Sequence, residues 1–382
     1  MTIRNSVLVI AAALLAVGGW YVVSNKSPAT QTGPLTIGFM GSLTGDAAAY
    51  GEPQRNAVEL AVKEINSKGG IDGRLVQVVY EDDGCSGTGG ASAAQKLVNI
   101  NHVQVILGGT CSNATLTALP IVTADKVAMV TGSATSPDLI DKSAYFFRTF
   151  PNDSQQGVTL ADGAFVGKHY QTAAIIAEET PYALGVAKAF STRFSADGGT
   201  VVGMEQFTSD TTDFHSIILK IRAEKADSVL ISAQTNANAS RILSQMRGIG
   251  WKPHLLVNDI VIADAPTVSQ NAAEMEGALG ATFVLPDSAK LTAFRSAYTA
   301  AYGGTSVPYE NYTSAVYDSV YLVADAIKAV GYDGTKIAAW ARTHVKDWQG
   351  ASGSITIGAN GERESGFSLL TVHNGNATPI TQ

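Results

Sequence analysis

The sequence predicts an α/β protein built as two doubly wound lobes. Three observations carry that expectation. Short apolar runs, each the length of a buried parallel strand, alternate with stretches of helical periodicity over residues 35–130. The same alternation starts again after residue 150 and runs to about residue 257. The chain, at 382 residues, is also too long for one ordinary domain.

The first lobe opens with a strand over 35–40 and a loop carrying Gly41, Gly45 and Gly51. A helix over 53–67 follows. Its Ala57, Val58, Ala61, Val62 and Ile65 fall on one face, Pro53 suits the first turn, and Gly69 and Gly70 stop it. Strand 75–80, helix 91–99, strand 103–107, helix 114–124 and strand 127–130 complete the round, which implies parallel strands joined by right-handed crossovers. The glycine-rich stretch 87–90 lacks both the Lys of a P-loop and the spacing of a dinucleotide fingerprint, so it is expected to be a flexible surface loop.

In the second round, helices over 155–167, 183–196, 214–224 and 239–249 alternate with strands over 172–177, 200–205, 228–232 and 254–257. A strand over 280–284 precedes helices 289–302, 312–330 and 335–344, which would suit the first lobe. The tail holds two strand-like pieces, 354–357 and 368–372, around a turn at 358–361. The expected plan is a targeting segment over 1–26, a linker over 27–34, one lobe from 35–150 plus 286–350, and a second from 151–285 plus 353–382. The chain would cross between lobes at 149–154, 282–287 and 350–353, and a cleft between two such lobes is a usual ligand site.

Composition narrows the class. Hydrophobic residues at 45% and charged residues at 15% fit a protein with a large core, and a net charge of −7 without any Lys/Arg run argues against a nucleic-acid partner. Arg4 followed by an apolar stretch over 7–23 reads as a secretory signal peptide, with an uncleaved membrane anchor as the alternative. Cys85 and Cys111 form an even pair in a chain read as exported, which suggests a disulfide; two buried free thiols are the alternative. The six histidines (His102, His169, His215, His254, His344 and His373) show no metal-ligand spacing, and no nucleophile has a base beside it, so neither a metal, a cofactor nor an enzyme is expected.

Two segments stand out as candidate sites. Gly108 to Asn113 and Thr131 to Pro137 each follow a strand-like run, where a helix can begin and present unpaired N–H groups. Ser112, Ser133 and Thr135 add hydroxyls suited to a carboxylate. Taken alone, such Ser and Thr residues are as readily helix caps.

The chain also resembles a known family, the Leu/Ile/Val-binding proteins of branched-chain amino acid ABC transporters, across nearly all of residues 35–378. The markers are Ile37-Gly38-Phe39-Met40-Gly41-Ser42-Leu43-Thr44-Gly45, Tyr50-Gly51, Glu64-Ile65-Asn66, Lys68-Gly69-Gly70-Ile71-Asp72-Gly73 and Glu81-Asp82-Asp83-Gly84-Cys85. Further on stand Cys111-Ser112, Ser133-Ala134-Thr135-Ser136-Pro137-Asp138-Leu139, Phe147-Arg148-Thr149 and Tyr317-Asp318-Ser319-Val320-Tyr321. Each is weak alone, and their order and spacing carry the signal.

The resemblance implies the type I periplasmic-binding fold, with a multi-strand hinge. It places Ser112, Ser133 and Thr135 on a ligand carboxylate, and Ser133, Thr135 and Asp259 on its ammonium. It makes Tyr182 and Tyr50 aromatic contacts that close over the ligand, and maps the family's disulfide onto Cys85 and Cys111. Departures fall in the side-chain pocket, at Thr110, Gln234 and Tyr312, and they argue for a small or polar ligand as much as an aliphatic one. Asp259 stands where a leucine-binding member has the longer Glu. Asp153 is near enough to a predicted crossing to reach the ammonium, but is expected instead to cap the helix at Gln155. The implied partners are an amino acid and the permease of an inner-membrane ABC importer, with the receptor a periplasmic monomer. A ligand sensor and a receptor for a carboxylate without an amine are the rival readings.

Overall fold

The computed structural model describes residues 33–380, so the expected targeting segment over 1–26 and most of the linker over 27–34 lie outside the described residues. Two sheets organise the rest. In the first, β1 (Leu35–Gly41) and α1 (Ala48–Ser67) lead to β2 (Val76–Asp82) and α2 (Gly87–Gln95). Then come β3 (Val105–Leu107), α3 (Ser112–Ala124), β4 (Ala128–Thr131) and β5 (Phe146–Arg148). All strands are parallel, in the order β2-β1-β3-β4-β5.

The second round runs α4 (Asp153–Asp162), β6 (Thr172–Glu178), α5 (Pro181–Ala196), β7 (Thr200–Phe207), α6 (His215–Ala223), β8 (Ser228–Ser232) and α7 (Asn236–Gly248). It continues through β9 (His254–Val257), the short helices α8 (Asp259–Ile262), α9 (Ala265–Gln270) and α10 (Ala272–Met275), and β10 (Leu279–Thr282). The chain then gives α11 (Ala289–Tyr302), α12 (Glu310–Val330) and α13 (Gly334–His344), and ends in β11 (Trp348–Gly350), β12 (Gly353–Ile355), β13 (Ser368–His373) and β14 (Asn376–Pro379). The second sheet has the order β14-β13-β10-β9-β8-β6-β7, and its β13 and β14 run antiparallel to their neighbours.

Each sheet reverses its strand order once, between β1 and β3 in the first and between β6 and β8 in the second. Loops at the carboxyl ends of strands flanking such a reversal splay apart and leave a crevice. Thr110, Ser112, Tyr182 and Gln234 all lie on loops or helix starts of this kind, which is how residues far apart in sequence reach one cleft.

Apolar clusters on the faces of each sheet hold the molecule, and the two largest serve as its main cores. Leu35, Ile37, Phe39, Val105 and Val130 of the first sheet bury against Val316, Val320 and Val323 of α12 and Ile337 of α13. Ile175, Ile176, Leu230 and Leu256 of the second sheet bury against Phe190 and Phe194 of α5 and Ile242 of α7. Both strand sets are apolar on both faces because helices cover each side.

Two expectations are corrected. The stretch 87–90 is the first turn of α2, not a loop. Ser86 caps it by accepting a bond from Gly89 N at 3.0 Å, and a Cβ on Gly90 would lie 2.2 Å from Ala114 O, so α2 rests on α3 through glycine backbone. The tail is divided rather than wholly in the second lobe: β12 pairs with β11, and Ile355 and Ile357 join the first core, while β13 and β14 extend the second sheet. The strand-like piece expected over 354–357 overlaps β12 (Gly353–Ile355), and nothing local in its sequence says which core receives it.

Candidate ligand-binding cleft

The expected first segment leaves β3 and enters α3. Cys111 is the residue before the helix, and its disulfide to Cys85 pins that turn to the loop after β2, with Cα atoms 5.3 Å apart. Ser112, at the first helical position, is buried. Its Oγ accepts from Ser136 N at 3.1 Å, which leaves the hydroxyl proton free beside the unpaired N–H groups of the helix start.

The second segment leaves β4. Thr131 Oγ1 accepts from Ser133 N at 3.1 Å and Ala134 N at 3.0 Å and donates to Gly109 O at 2.9 Å, so one hydroxyl binds both ligand-facing loops together. Gly132 passes close to α12: an added Cβ would meet Val316 N at 2.6 Å. From the far side Arg148, fully buried, donates through Nη1 to Ala134 O (3.2 Å) and Ser136 O (3.1 Å) and forms an ion pair with Glu362 at 2.7 Å. Arg148 was noted in the sequence only as part of a motif. Its holding role has no local signature, because its partners are a backbone loop and a residue 214 positions away.

The cleft closes with Asp259 at the first turn of α8. Tyr182 donates to one carboxylate oxygen and Tyr312 to the other. Gln156 accepts from Asp259 N at 3.3 Å and donates to Asp153 Oδ1 at 3.2 Å. Asp153 is therefore not the cap of its helix. Asn152 is, accepting from Ser154 N at 3.0 Å, and Asp153 is buried with its Oδ2 unpartnered. Burial pushes both the Asp153 and the Asp259 carboxyl above the ordinary range, and for Asp153 the neighbouring Asp259 charge adds to the push. Burial, and then the Asp259 charge, hold the Tyr182 and Tyr312 phenols well above theirs, so they stay neutral donors.

The cavity between these elements is lined by Tyr50, Gln54, Thr110, Cys111, Ser112, Ser133, Thr135, Tyr182, Gln234, Ile260 and Tyr312. Of the residues expected to touch a ligand, Asp259 alone is off the wall, screened by the two tyrosine hydroxyls. Ser133 reaches the cavity, but its proton goes to Thr110 O at 3.0 Å while its oxygen accepts from Gln54 Nε2 at 2.9 Å. Its hydroxyl therefore has no proton for an anion in this arrangement. Gln54, which sequence reasoning missed, also accepts from Thr110 Oγ1 at 3.1 Å. It lies four residues after Tyr50 on α1, so the helical repeat that places one on the cleft places the other. Tyr50 OH accepts from Asn236 N at 2.9 Å, and Tyr312 stacks on Phe150 with ring centroids 4.4 Å apart. Among the described residues, no three His, Cys, Asp or Glu side chains gather as a metal site, and no helix is long and apolar enough to cross a membrane.

A buried polar cleft at the switch points of two doubly wound lobes defines a solute-binding receptor of the two-lobed type. The chain belongs to the periplasmic binding protein family, whose model matches residues 34–376. It is 28% identical to the Leu/Ile/Val-binding protein BraC3 of Rhizobium johnstonii over 88% of this chain and 90% of that one. Its structure resembles that of the branched-chain amino acid transporter substrate-binding protein LivJ of Streptococcus pneumoniae in complex with isoleucine. The TM-score is 0.79 and the identity 28%, over 90% of this chain and 97% of that one. The same fold is shared, at 19% identity and a TM-score of 0.79 over 91% of this chain and 96% of that one, by an ABC transporter solute-binding protein of R. palustris in complex with benzoate.

Proposed function

We propose that this chain is the periplasmic receptor of an ABC importer and that it takes an α-amino acid in the cleft, without catalysis. The observation that carries the reading is the polarity of the cavity. Its wall carries the start of α3 with the free hydroxyl of Ser112, and also the phenols of Tyr182 and Tyr312, which donate to Asp259. The carboxylate would sit at the start of α3. The ammonium would sit against the phenol oxygens, which are better acceptors for donating to Asp259, so its charge is met without direct contact with that carboxylate. Burying a zwitterion is tolerable only when both ends are matched in this way. Domain closure would seal the cleft, and the closed form of a monomer would dock on the permease. The lobes in this reading are 35–150 with 286–357, and 151–285 with 368–380.

Isothermal titration with an α-amino acid and with its N-acetyl and amide derivatives tests the reading. Loss of binding on blocking either end supports it. A second reading, a carboxylate without an amine, draws on the screened position of Asp259. It takes over if simple aromatic or aliphatic acids bind and every amino acid fails.

A further inference from the structure

We propose that the ligand is an amino acid with a neutral, hydrogen-bonding side chain, a hydroxyl or a carboxamide, and that the carboxamide of Gln234 selects it. The inference rests on the amino-acid reading above. Gln234 lines the cavity at 7% exposure, and its Oε1 has no partner. Its position is fixed from behind, where its backbone N donates to Glu178 Oε2 at 2.8 Å; Glu178 Oε1 accepts in turn from Ser209 at 2.6 Å, so both oxygens of that buried acid are occupied.

Apart from Ser112, whose proton is free at the start of α3, and Thr135, which stands beside the buried Asp153, the other polar side chains on the wall are already matched. Thr110 and Gln54 bond each other, Gln54 and Ser133 bond each other, Tyr50 OH accepts from Asn236 N, and the two remaining tyrosines donate to Asp259. Gln234 is thus the wall group whose acceptor still needs a donor. A closed cleft holding an aliphatic side chain would leave that amide oxygen buried and unpaired, which is how a site rejects an analogue lacking the matching group. Tyr50, Gln54, Thr110 and Gln234 are all uncharged, which is poor company for a cationic or anionic side chain.

The place of Gln234 also explains why it reads the variable end. It follows β8 and precedes α7, whose first residue, Asn236, holds Tyr50. Tyr50 and Gln54 share one face of α1, and Gln54 holds Thr110. These bonds link the four residues into one stretch of the cavity wall.

Threonine and valine have nearly the same shape and differ by the hydroxyl, so their comparison isolates the inference. Protein freed of bound ligand by unfolding and refolding is titrated calorimetrically with Thr, Val, Ser, Asn, Gln, Leu, Lys and benzoate. Threonine is expected to bind roughly ten times more tightly than valine, or asparagine or glutamine more tightly than leucine by a similar factor. In Gln234→Leu that ratio should collapse to about one or invert. Valine binding at least as well as threonine, together with leucine binding at least as well as asparagine and glutamine, overturns the inference while leaving the amino-acid reading standing. So does a preference for lysine, or an unchanged ratio in a folded Gln234→Leu. Binding of benzoate with no amino acid binding at all overturns both. The two comparisons in the unaltered protein, Thr with Val and Asn or Gln with Leu, stay decisive if the variant fails to fold.

Discussion

Tyr312, on α12 of the first lobe, donates a hydrogen bond to Asp259, at the first turn of α8 in the second, and so joins the two walls of the cleft directly. Asp259 receives its other bond from Tyr182 of its own lobe. In the proposed binding cycle, lobe closure and the readiness of the ammonium site would be one event: parting the lobes would take from Asp259 one of its two phenol partners.

Removing that partner should weaken binding more than it weakens folding. Tyr312→Phe keeps the ring stacked on Phe150 but takes away a bond to an ionised group, worth about 1.5–3 kcal/mol. We expect about a 10-fold or larger loss of affinity for the amino-acid ligand, and Asp259→Ala to lose at least as much. Calorimetric titration of the two variants checks this. Near-normal affinity in Asp259→Ala would remove that residue from the site.

Binding should also release protons in mildly acid solution. The Asp153 and Asp259 carboxyls are raised by burial, so the unliganded pair holds protons above the usual carboxylate range, and an arriving ammonium drives them off. Affinity should fall as the pH falls through that range, and the binding heat should vary with the ionisation enthalpy of the buffer. The sign for folding is opposite. A native pKa above the unfolded value gives stability that is full below the unfolded pKa and lost as pH rises through the native one, so the unliganded protein should lose this contribution on going from acid toward neutral pH. Asp83, buried and pushed up to about 6, should add to that slope between about pH 4 and 6. Asp83→Asn should flatten it in denaturant melts taken across the pH range.

Arg148 is expected to matter for both stability and affinity. Its guanidinium holds the carbonyls of Ala134 and Ser136 and pairs with Glu362, all out of solvent. Arg148→Met should cost about 3–5 kcal/mol by taking the guanidinium from the buried Glu362 carboxylate, which keeps only the Asn152 amide as a donor. The double variant Arg148→Met with Glu362→Leu should recover much of that stability. Affinity should stay low, because the loop over 133–136 has still lost its two tethers. Denaturant melts and titration of both variants separate the effects.

The disulfide should act on both quantities too. Closing a loop of 26 residues is worth about 3.5 kcal/mol in the chain-entropy view, and Cys111 is the residue that positions the start of α3. Reduction, or Cys85→Ser with Cys111→Ser, should lower stability by about that amount and weaken ligand binding. Equilibrium unfolding with and without reductant is the check.

The fold was legible because its signals are local and repeated. Alternating apolar runs and helical faces, with punctuation such as Gly69 and Gly70, recur twice and need no knowledge of contacts. The cleft was legible where its residues follow strand ends: Thr110, Ser112, Tyr182 and Gln234 could be placed from that rule together with the family resemblance. Gln54, Gln156 and Arg148 were not found. Each sits inside a helix or strand, where a polar residue looks like an ordinary surface position until a partner 79, 103 or 214 residues away is brought to it. Asp153 was misread for a related reason. Asn152 and Asp153 are both good capping residues, and the choice between them turned on the backbone geometry at Asn152, which lies in the extended region. The start of α2 was missed although Ser86 offered a cap, because four glycine or threonine residues in a row outweighed it in a reading by propensity.

The split tail has a consequence for how the protein comes into being. The first core joins Leu35 and Ile37 to Val316, Val323, Ile337 and Ile355, so its halves are separated by almost the whole chain. A nascent polypeptide lacking its last quarter would hold β1–β5 with one flank bare, unable to fold stably. The second lobe in turn waits for β13 and β14 to cover β10. Neither lobe can finish early, and such long-range closure is slow. In the proposed periplasmic role, a chain that stays loose until its final residues arrive would remain extended enough to be exported before it folds.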